Sequence, residues 1–153
     1  MNDLMQKAEV SIKQVFQLED VIKSVPESHV ELEVKHHFAS HMLLRELHIP
    51  AGVVAVGKVH RTKHLTIIAS GTVRITTDDG IVEITGPEVF VSKPYAKKAV
   101  FALTDAVIMN PHPVEKCDVG FVDMADLENE LIVPCISALE AEQYIALQRE
   151  KQQ

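Results

Sequence analysis

The chain has 153 residues, of which 46% are hydrophobic and 24% are charged, a balance typical of one globular domain with one core. The formal net charge of −7 argues against a nucleic-acid partner, because proteins that bind nucleic acids usually carry a basic surface. No apolar run approaches the roughly 20 residues that span a bilayer, and the first residues lack a secretory signal pattern. We therefore expect a cytoplasmic protein with no membrane partner.

The N-terminal part of the chain, residues 1–28, is predicted to be helical. Apolar side chains recur at helical spacing over residues 2–24, from Leu4 to Ile22. Pro26 follows at the point where a helix would end. We expect this helix to pack on the rest of the domain or on a second subunit.

The next segment is predicted to be extended. Residues 29–34 alternate between apolar and charged side chains, which indicates a half-buried strand. His37 and His41 are four residues apart and could chelate a metal if their segment were helical. The alternation that follows, through Leu43 and Leu47, instead favours an extended path for these histidines.

Short strand-like runs and turns fill the centre of the chain. Branched apolar residues mark runs near 53–59, 65–68, 73–75, 81–85, 89–91, 99–103 and 106–109. Asp78, Asp79 and Gly80 form a hairpin signal between two of these runs. Strands at this spacing are typical of a sandwich or barrel, so residues 29–113 are predicted to form one mainly β domain.

Residues 114–153 are predicted to be helical again. A short helix over residues 123–131 has Asp123 as its expected cap, and Ser137 to Glu140 reads as a capping box that opens a final helix. Helices on both sides of a β domain often serve assembly. We expect a homodimer, because two-fold dimers are the commonest oligomers.

His60 and His64 lie between two strand-like runs and are the first candidates for a functional site. In a flat strand, residues four apart are separated by about 13 Å, too far to share one metal ion. The glycines and β-branched residues around them argue against a helix. If the two histidines act together, residues 61–63 must form a tight bend that brings the strands toward each other.

Several of these residues resemble the first motif of the cupin family. Pro50, Gly52, His60 and Gly71 match that motif, with His64 at the position of the family's glutamate and Lys58 at the position of its first histidine. The segment from Gly86 to Phe101 resembles the second motif, with Lys97 or Lys98 where a histidine would be. The resemblance covers about residues 49–113, and implies a single jelly-roll barrel that often holds a metal in its mouth.

A narrower resemblance points to small phage and prophage cupin-like proteins of unassigned function. It rests on the runs His36–Ala39, Gly57–His60 and Asn110–Pro113. If the gene comes from a phage, the expected location is the host cytoplasm. The resemblance implies no particular activity and no catalytic residues.

The resulting hypothesis is a metal site formed by His60, His64 and His112. Neutral imidazole is a good ligand for zinc, iron, manganese or nickel, and three ligands leave a position open. His112 lies between two prolines, and could face the barrel mouth or cap a surface loop. A fourth ligand could come from His37, His41 or Glu83.

Lys58 is the third candidate ligand-binding residue, together with His60 and His64. Its charge would weaken cation binding and favour an anionic ligand instead. Three function classes remain open: a module that binds a small ligand, a metal-dependent enzyme, and a structural or host-interaction protein. An enzyme predicts a pocket with converging polar groups around His60, whereas a structural protein predicts a barrel filled by Ile67, Val73 and Phe90.

Overall fold

The computed structural model describes residues 11–77, 79–115, 124–135 and 137–152. These residues form two antiparallel sheets, with one helix before the strands and two after them. The strands are β1 (Glu33–Ala39), β2 (Met42–Ile49), β3 (Val54–Val56), β4 (His64–Ser70), β5 (Thr72–Thr77), β6 (Gly80–Thr85), β7 (Glu88–Ser92), β8 (Ala99–Ala102) and β9 (Ala106–Pro113). The helices are α1 (Ile12–Lys23), α2 (Met124–Leu131) and α3 (Ala138–Lys151), with a short 3-10 turn at Pro26–Ser28.

The strands divide into a five-stranded sheet and a four-stranded sheet. Their orders are β1-β2-β9-β4-β7 and β3-β8-β5-β6. The described strands of one sheet do not pair with those of the other, so the expected closed barrel is not observed. The fold is mainly β, as the strand-like runs predict, and is an open pair of sheets.

Apolar side chains from both sheets form the main core. Its central members are Ile68 and Ile108 from the five-stranded sheet and Val73, Ile75 and Ala102 from the four-stranded sheet. Ile67, which was expected to fill the barrel, is only partly buried. It is one residue out of step with Ile68, so it faces the other side of its sheet.

Two smaller apolar clusters attach the helices to the sheets. Leu127 and Leu131 of α2 pack against Leu43 of β2. Phe16 of α1 packs with Val59 and with Ala141 of α3. The described helices therefore pack on β2 and on the loop before β4. None of the described helices is long and apolar enough to span a membrane.

Several helix and strand boundaries in the structure differ from the predicted ones. The described part of the N-terminal helix begins at Ile12, where Ser11 and Gln14 form a reciprocal capping box, and residues 1–10 lie outside the described residues. The predicted strand at 29–34 is instead Glu33–Ala39, and it is exposed along its length. It lies at the edge of its sheet, so only one side of it has a neighbour.

The C-terminal helices start close to the predicted positions. The second helix begins at Met124, and its expected cap Asp123 lies outside the described residues. The Ser137 side chain caps the third helix by accepting a hydrogen bond from the Glu140 backbone. Leu139 and Leu147 of this helix are 64% and 55% exposed, and Ala141 is its buried residue.

Candidate functional site

The backbone bends at Arg61 and Thr62, and this bend brings His60 and His64 together. The centroids of the two rings are 4.9 Å apart. His60 is held on both backbone sides, since its N–H donates to the Ala96 carbonyl at 3.2 Å and its carbonyl accepts from the Tyr95 N–H at 2.6 Å. The bend is therefore fixed by neighbouring loops.

Arg61 ties the same bend to the helical end of the chain. Its backbone N–H donates to the Leu131 carbonyl at 2.7 Å, and its Nε donates to the Ile132 carbonyl at 3.0 Å. Its guanidinium also bonds to the Tyr144 hydroxyl and lies 5.1 Å from the centre of that ring. The end of α2 thus lies directly beside His60.

His112 joins the two other histidines. Its ring centroid is 5.1 Å from that of His60 and 4.6 Å from that of His64. Its side chain is only 1% exposed, so it is not a surface cap.

The prolines on either side of His112 both lie within strand β9. Pro111 and Pro113 have Cα partners on β2, Leu44 and Met42. On its other side β9 pairs with β4 only through residues 107–109. Beyond Met109 the strand has a ladder on one side only, a position that tolerates proline.

All three rings are neutral at neutral pH. Burial lowers the pKa of His60 to about 3, helped by the neighbouring charge of His112. Burial likewise lowers the pKa of His112 to about 3, with smaller effects from His64 and Arg45. Burial also lowers the pKa of His64, although the bond from its Nδ1 to the Thr62 carbonyl opposes this shift.

His112 has an unusual hydrogen-bonding state. Both of its ring nitrogens are buried, and neither has a hydrogen-bond partner among the described residues. Buried polar atoms are nearly always paired, since an unpaired one loses its hydration without compensation. The ring therefore faces a place where another polar group would be stabilised.

The triad partly fits a metal ion. Rings bound to one ion at roughly 2.0–2.1 Å have centroids about 5 Å apart, close to the spacing of these three rings. Within the described ranges, however, no group of three His, Cys, Asp or Glu residues has the arrangement that holds an ion. The rings are at the right spacing, but as placed they are not a preformed metal centre.

A cavity of about 560 Å³ opens beside the triad. The five-stranded sheet lines one side with a polar set and with Leu43, Leu47 and Ile108, and the four-stranded sheet lines the other with an apolar set. The polar set is His36, Arg45, His64, Thr66, Asn110 and His112, and the apolar set includes Val54, Val56, Ile75 and Val100. Of the residues expected to fill the barrel of a structural protein, Val73 is fully buried in the core and Phe90 packs against that core, whereas Ile67 is only partly buried.

Arg45 lies in a polar row across the five-stranded sheet. Its Cα partners are His36 on β1 and Asn110 on β9. Asn110 in turn donates to the Thr66 hydroxyl at 3.0 Å. Thr66 and Ser92 share a hydrogen bond of 2.6 Å, and Lys98 donates to Ser92, so a connected network holds Asn110 and Thr66 in place beside Arg45.

The expected ligand-binding residue Lys58 also lines the cavity, where it pairs with Glu128 of α2. The candidates for a fourth metal ligand do not lie there. His37 bonds to Glu46, at 3.2 Å, and His41 lies in the turn between β1 and β2. Glu83 pairs with Arg74 on the four-stranded sheet.

Sequence reasoning missed Arg45, Thr66 and Asn110, although the alternation of their strands contained the signal. Arg45 has the same parity as Leu43 and Leu47, and Asn110 has the same parity as Ile108 and His112. Side chains two apart on a strand share a face. Lys97, one of the two lysines matched to a histidine position of the second motif, has a side chain that is only 4% exposed and pairs with Glu19.

No family model matches this chain, and no curated protein resembles it in sequence. Solved structures with a similar fold include KdgF from Halomonas sp., which has a TM-score of 0.50 and 11% identity over 58% of this chain and 85% of that chain. A cupin superfamily protein from Desulfitobacterium hafniense has a TM-score of 0.48 and 11% identity, covering 56% of this chain and 79% of its own.

An RmlC-like cupin from Shewanella frigidimarina is also similar, with a TM-score of 0.48 and 15% identity over 56% of this chain and 78% of that chain. Of these three similarities, the one to KdgF, at a TM-score of 0.50, supports a fold of the same kind for this chain. At such low identity they concern the fold and not the activity.

Proposed function

We propose that this cupin-like protein binds a small molecule in its cavity and one divalent transition metal ion on His60, His64 and His112. The observation that carries the proposal is His112, whose two buried ring nitrogens have no partner in the described chain. Neutral imidazoles at this spacing are suited to zinc, iron, manganese or nickel. When bound, the ion would supply an open coordination position for an oxygen or nitrogen atom of the small molecule.

The residues of this chain would each have a defined part in such a site. Burial keeps the three imidazoles neutral, and so available as ligands, across the physiological pH range. The Thr62 carbonyl holds the His64 ring through Nδ1 and leaves Nε2 for a ligand.

Metal binding is tested by titration calorimetry with zinc, iron(II), manganese and nickel, after removal of any metal that copurifies. The expected result is one ion per chain for the wild type, and at least a tenfold loss of affinity in His112→Asn. His41→Asn, in an exposed turn, is the matched control and should bind as the wild type does. Binding that is absent in the wild type, or unchanged in His112→Asn, would contradict the metal site.

We also propose a phage or prophage origin and a cytoplasmic location. The support is the sequence resemblance of the runs around His36, His60 and His112. Finding the gene outside any phage or prophage region would contradict the origin, and fractionation of the expressing cell tests the location.

A further inference from the structure

The cavity lining carries an excess of positive charge. Three of its residues are lysine or arginine, namely Arg45, Lys58 and Lys98, and Glu128 is its one carboxylate within the described residues. Glu128 is already paired with Lys58. Glu128 also acts on the charge of Arg45, so Arg45 shares this carboxylate with Lys58 and forms no ion pair of its own with it.

Arg45 lies in a partly buried position, where an excess of positive charge is unfavourable. It is partly buried in the inner face of the five-stranded sheet, with His36 and Asn110 as its cross-strand neighbours. Its side chain has no hydrogen-bond or ion-pair partner in the part of the chain that the structure describes. A guanidinium removed from water without a partner is unfavourable, and its five N–H donors suit a carboxylate.

The opposite wall has a different chemistry. Val54, Val56, Ile75 and Val100 of the four-stranded sheet face the polar row across the cavity. A ligand that satisfies both walls must have a charged end and an apolar body. The volume of about 560 Å³ lies within the roughly 300–1,000 Å³ of small-molecule sites.

We propose that the natural ligand is an amphipathic monoanion, such as a carboxylic acid with an apolar chain or ring, whose anionic head binds Arg45 and whose apolar part lies against Val54, Ile75 and Val100. This inference rests on the proposed function, because it names the ligand class of the same cavity. The head would lie beside the histidine triad. His112 is the cross-strand partner of Leu43, and Leu43 lies two residues before Arg45 on the same strand, so the side chains of His112 and Arg45 share one face of the sheet.

The test uses octanoate as the probe, with octan-1-ol as a neutral probe of the same length and propanoate as a short acid. Affinities are measured by calorimetry on the full chain, with and without zinc. We expect octanoate to bind about tenfold more tightly than either of the other probes, because only it satisfies both walls. Equal affinity for octanoate and octan-1-ol would overturn the anionic head, and equal affinity for the two acids would overturn the apolar body.

Substitutions at charged residues test where the anionic head of the ligand binds. Arg45→Gln should weaken octanoate binding about tenfold and leave octan-1-ol unchanged. Arg74→Gln removes an exposed arginine on the other sheet and should change neither. Glu128→Gln removes the one carboxylate of the described lining and should strengthen octanoate binding, a gain that misfolding would not produce. Unchanged octanoate affinity in both Arg45→Gln and Glu128→Gln would overturn the assignment of Arg45.

The outcomes separate this inference from the proposed function. If octan-1-ol binds as well as octanoate, the cavity is still a small-molecule site and only the anionic head of the proposed ligand is rejected. Absence of binding by every probe overturns the ligand class here, whereas the metal titration is read independently. Metal binding that fails while octanoate still binds through Arg45 removes the metal site and leaves the ligand class standing.

Discussion

His112 shows at the residue scale how burial sets the chemistry of this site. Its ring lies against two other imidazoles and is 1% exposed. A charged imidazolium in that place would lose its hydration and meet the positive charges of Arg45 and Lys98. The neutral form is therefore strongly favoured, which keeps a nitrogen lone pair available.

The same burial predicts how stability depends on pH. The pKa of His60 and of His112 is about 3 in the folded chain, whereas histidine in an unfolded chain titrates near 6.5. Below pH 6.5 the unfolded chain takes up protons that the folded chain does not. The free energy of unfolding is therefore full above about pH 6.5 and falls toward pH 3, by up to roughly 1.4 kcal/mol per pH unit for each histidine.

Urea denaturation between about pH 5 and pH 8, with a chelator present, measures this slope. His112→Gln removes one of the two groups and should reduce the slope. His41→Gln, in the exposed turn after β1, should leave it unchanged. A slope in His112→Gln equal to that of the wild type would show that this histidine is not held neutral by burial.

Among the individual elements, the turn between β4 and β5 requires a glycine. Gly71 links β4 to β5 with a φ of +85°, and a Cβ there would lie 2.2 Å from the Asp105 carbonyl oxygen. Gly52 has a similar φ of +83°, but a Cβ there would meet nothing within 4 Å. The two glycines separate the backbone effect from the steric one.

We expect Gly52→Ala to lower the free energy of unfolding by about 1–2 kcal/mol, the usual effect of placing a side chain in the left-handed region. Gly71→Ala should lower it by roughly 1–3 kcal/mol more, because backbone atoms must move apart. Chemical denaturation of both variants checks the difference. Equal losses of unfolding free energy in the two variants would show that the backbone at Asp105 shifts at little energetic cost.

The contacts of Lys97 attach α1 to the rest of the domain. Its ammonium lies 2.6 Å from Glu19 of α1 and 2.8 Å from the Gly57 carbonyl, and 4.4 Å from the centre of the Phe16 ring. Lys23 pairs with the same Glu19 at 2.9 Å, but its side chain is 64% exposed. Burial distinguishes two ion pairs that share one carboxylate.

Lys97→Met should lower the free energy of unfolding by about 2–4 kcal/mol, because it leaves Glu19 without its buried partner. Lys23→Met should lower it by at most about 0.5 kcal/mol, as is usual for an exposed pair four residues apart on a helix. Urea denaturation measures both. A loss in Lys23→Met as large as that in Lys97→Met would mean that burial does not set the strength of these pairs.

The whole molecule presents an apolar outer face on its five-stranded sheet. Leu65, Val89 and Val91 are 42%, 58% and 52% exposed, and they lie on the last two strands of that sheet. Leu65 and Val91 are direct cross-strand partners, so their side chains share one face. The expected homodimer stays a prediction, and this face is where we expect the second copy to pack.

Replacing Val89 and Val91 with lysine should convert a dimer to a monomer, since charges would then meet in the centre of the contact. Light scattering after gel filtration measures the mass in solution. Ile81→Lys places the same charge on an equally exposed residue of the other sheet and should leave the mass unchanged. A wild-type protein that is monomeric at micromolar concentration would contradict the dimer.

Local sequence determined the main elements of this protein. Branched apolar runs separated by turn residues predict the strands, because a strand needs only its own alternation and its turns to be recognised. The bend between His60 and His64 was predicted on the condition that the two histidines act together, since a straight strand would hold them too far apart and the residues around them argue against a helix. These features depend on residues that are near one another in the chain.

Only the tertiary structure decided which side chains meet. His112 lies opposite Leu43, and Arg45 opposite Asn110, through a pairing of β2 with β9 that the local pattern does not contain. Alternation assigns a side chain to a face, whereas the register between distant strands chooses its neighbours. The histidine triad, the unpaired Arg45 and the buried Lys97 all result from that register, because burial and charge act on spatial neighbours and not on sequence neighbours.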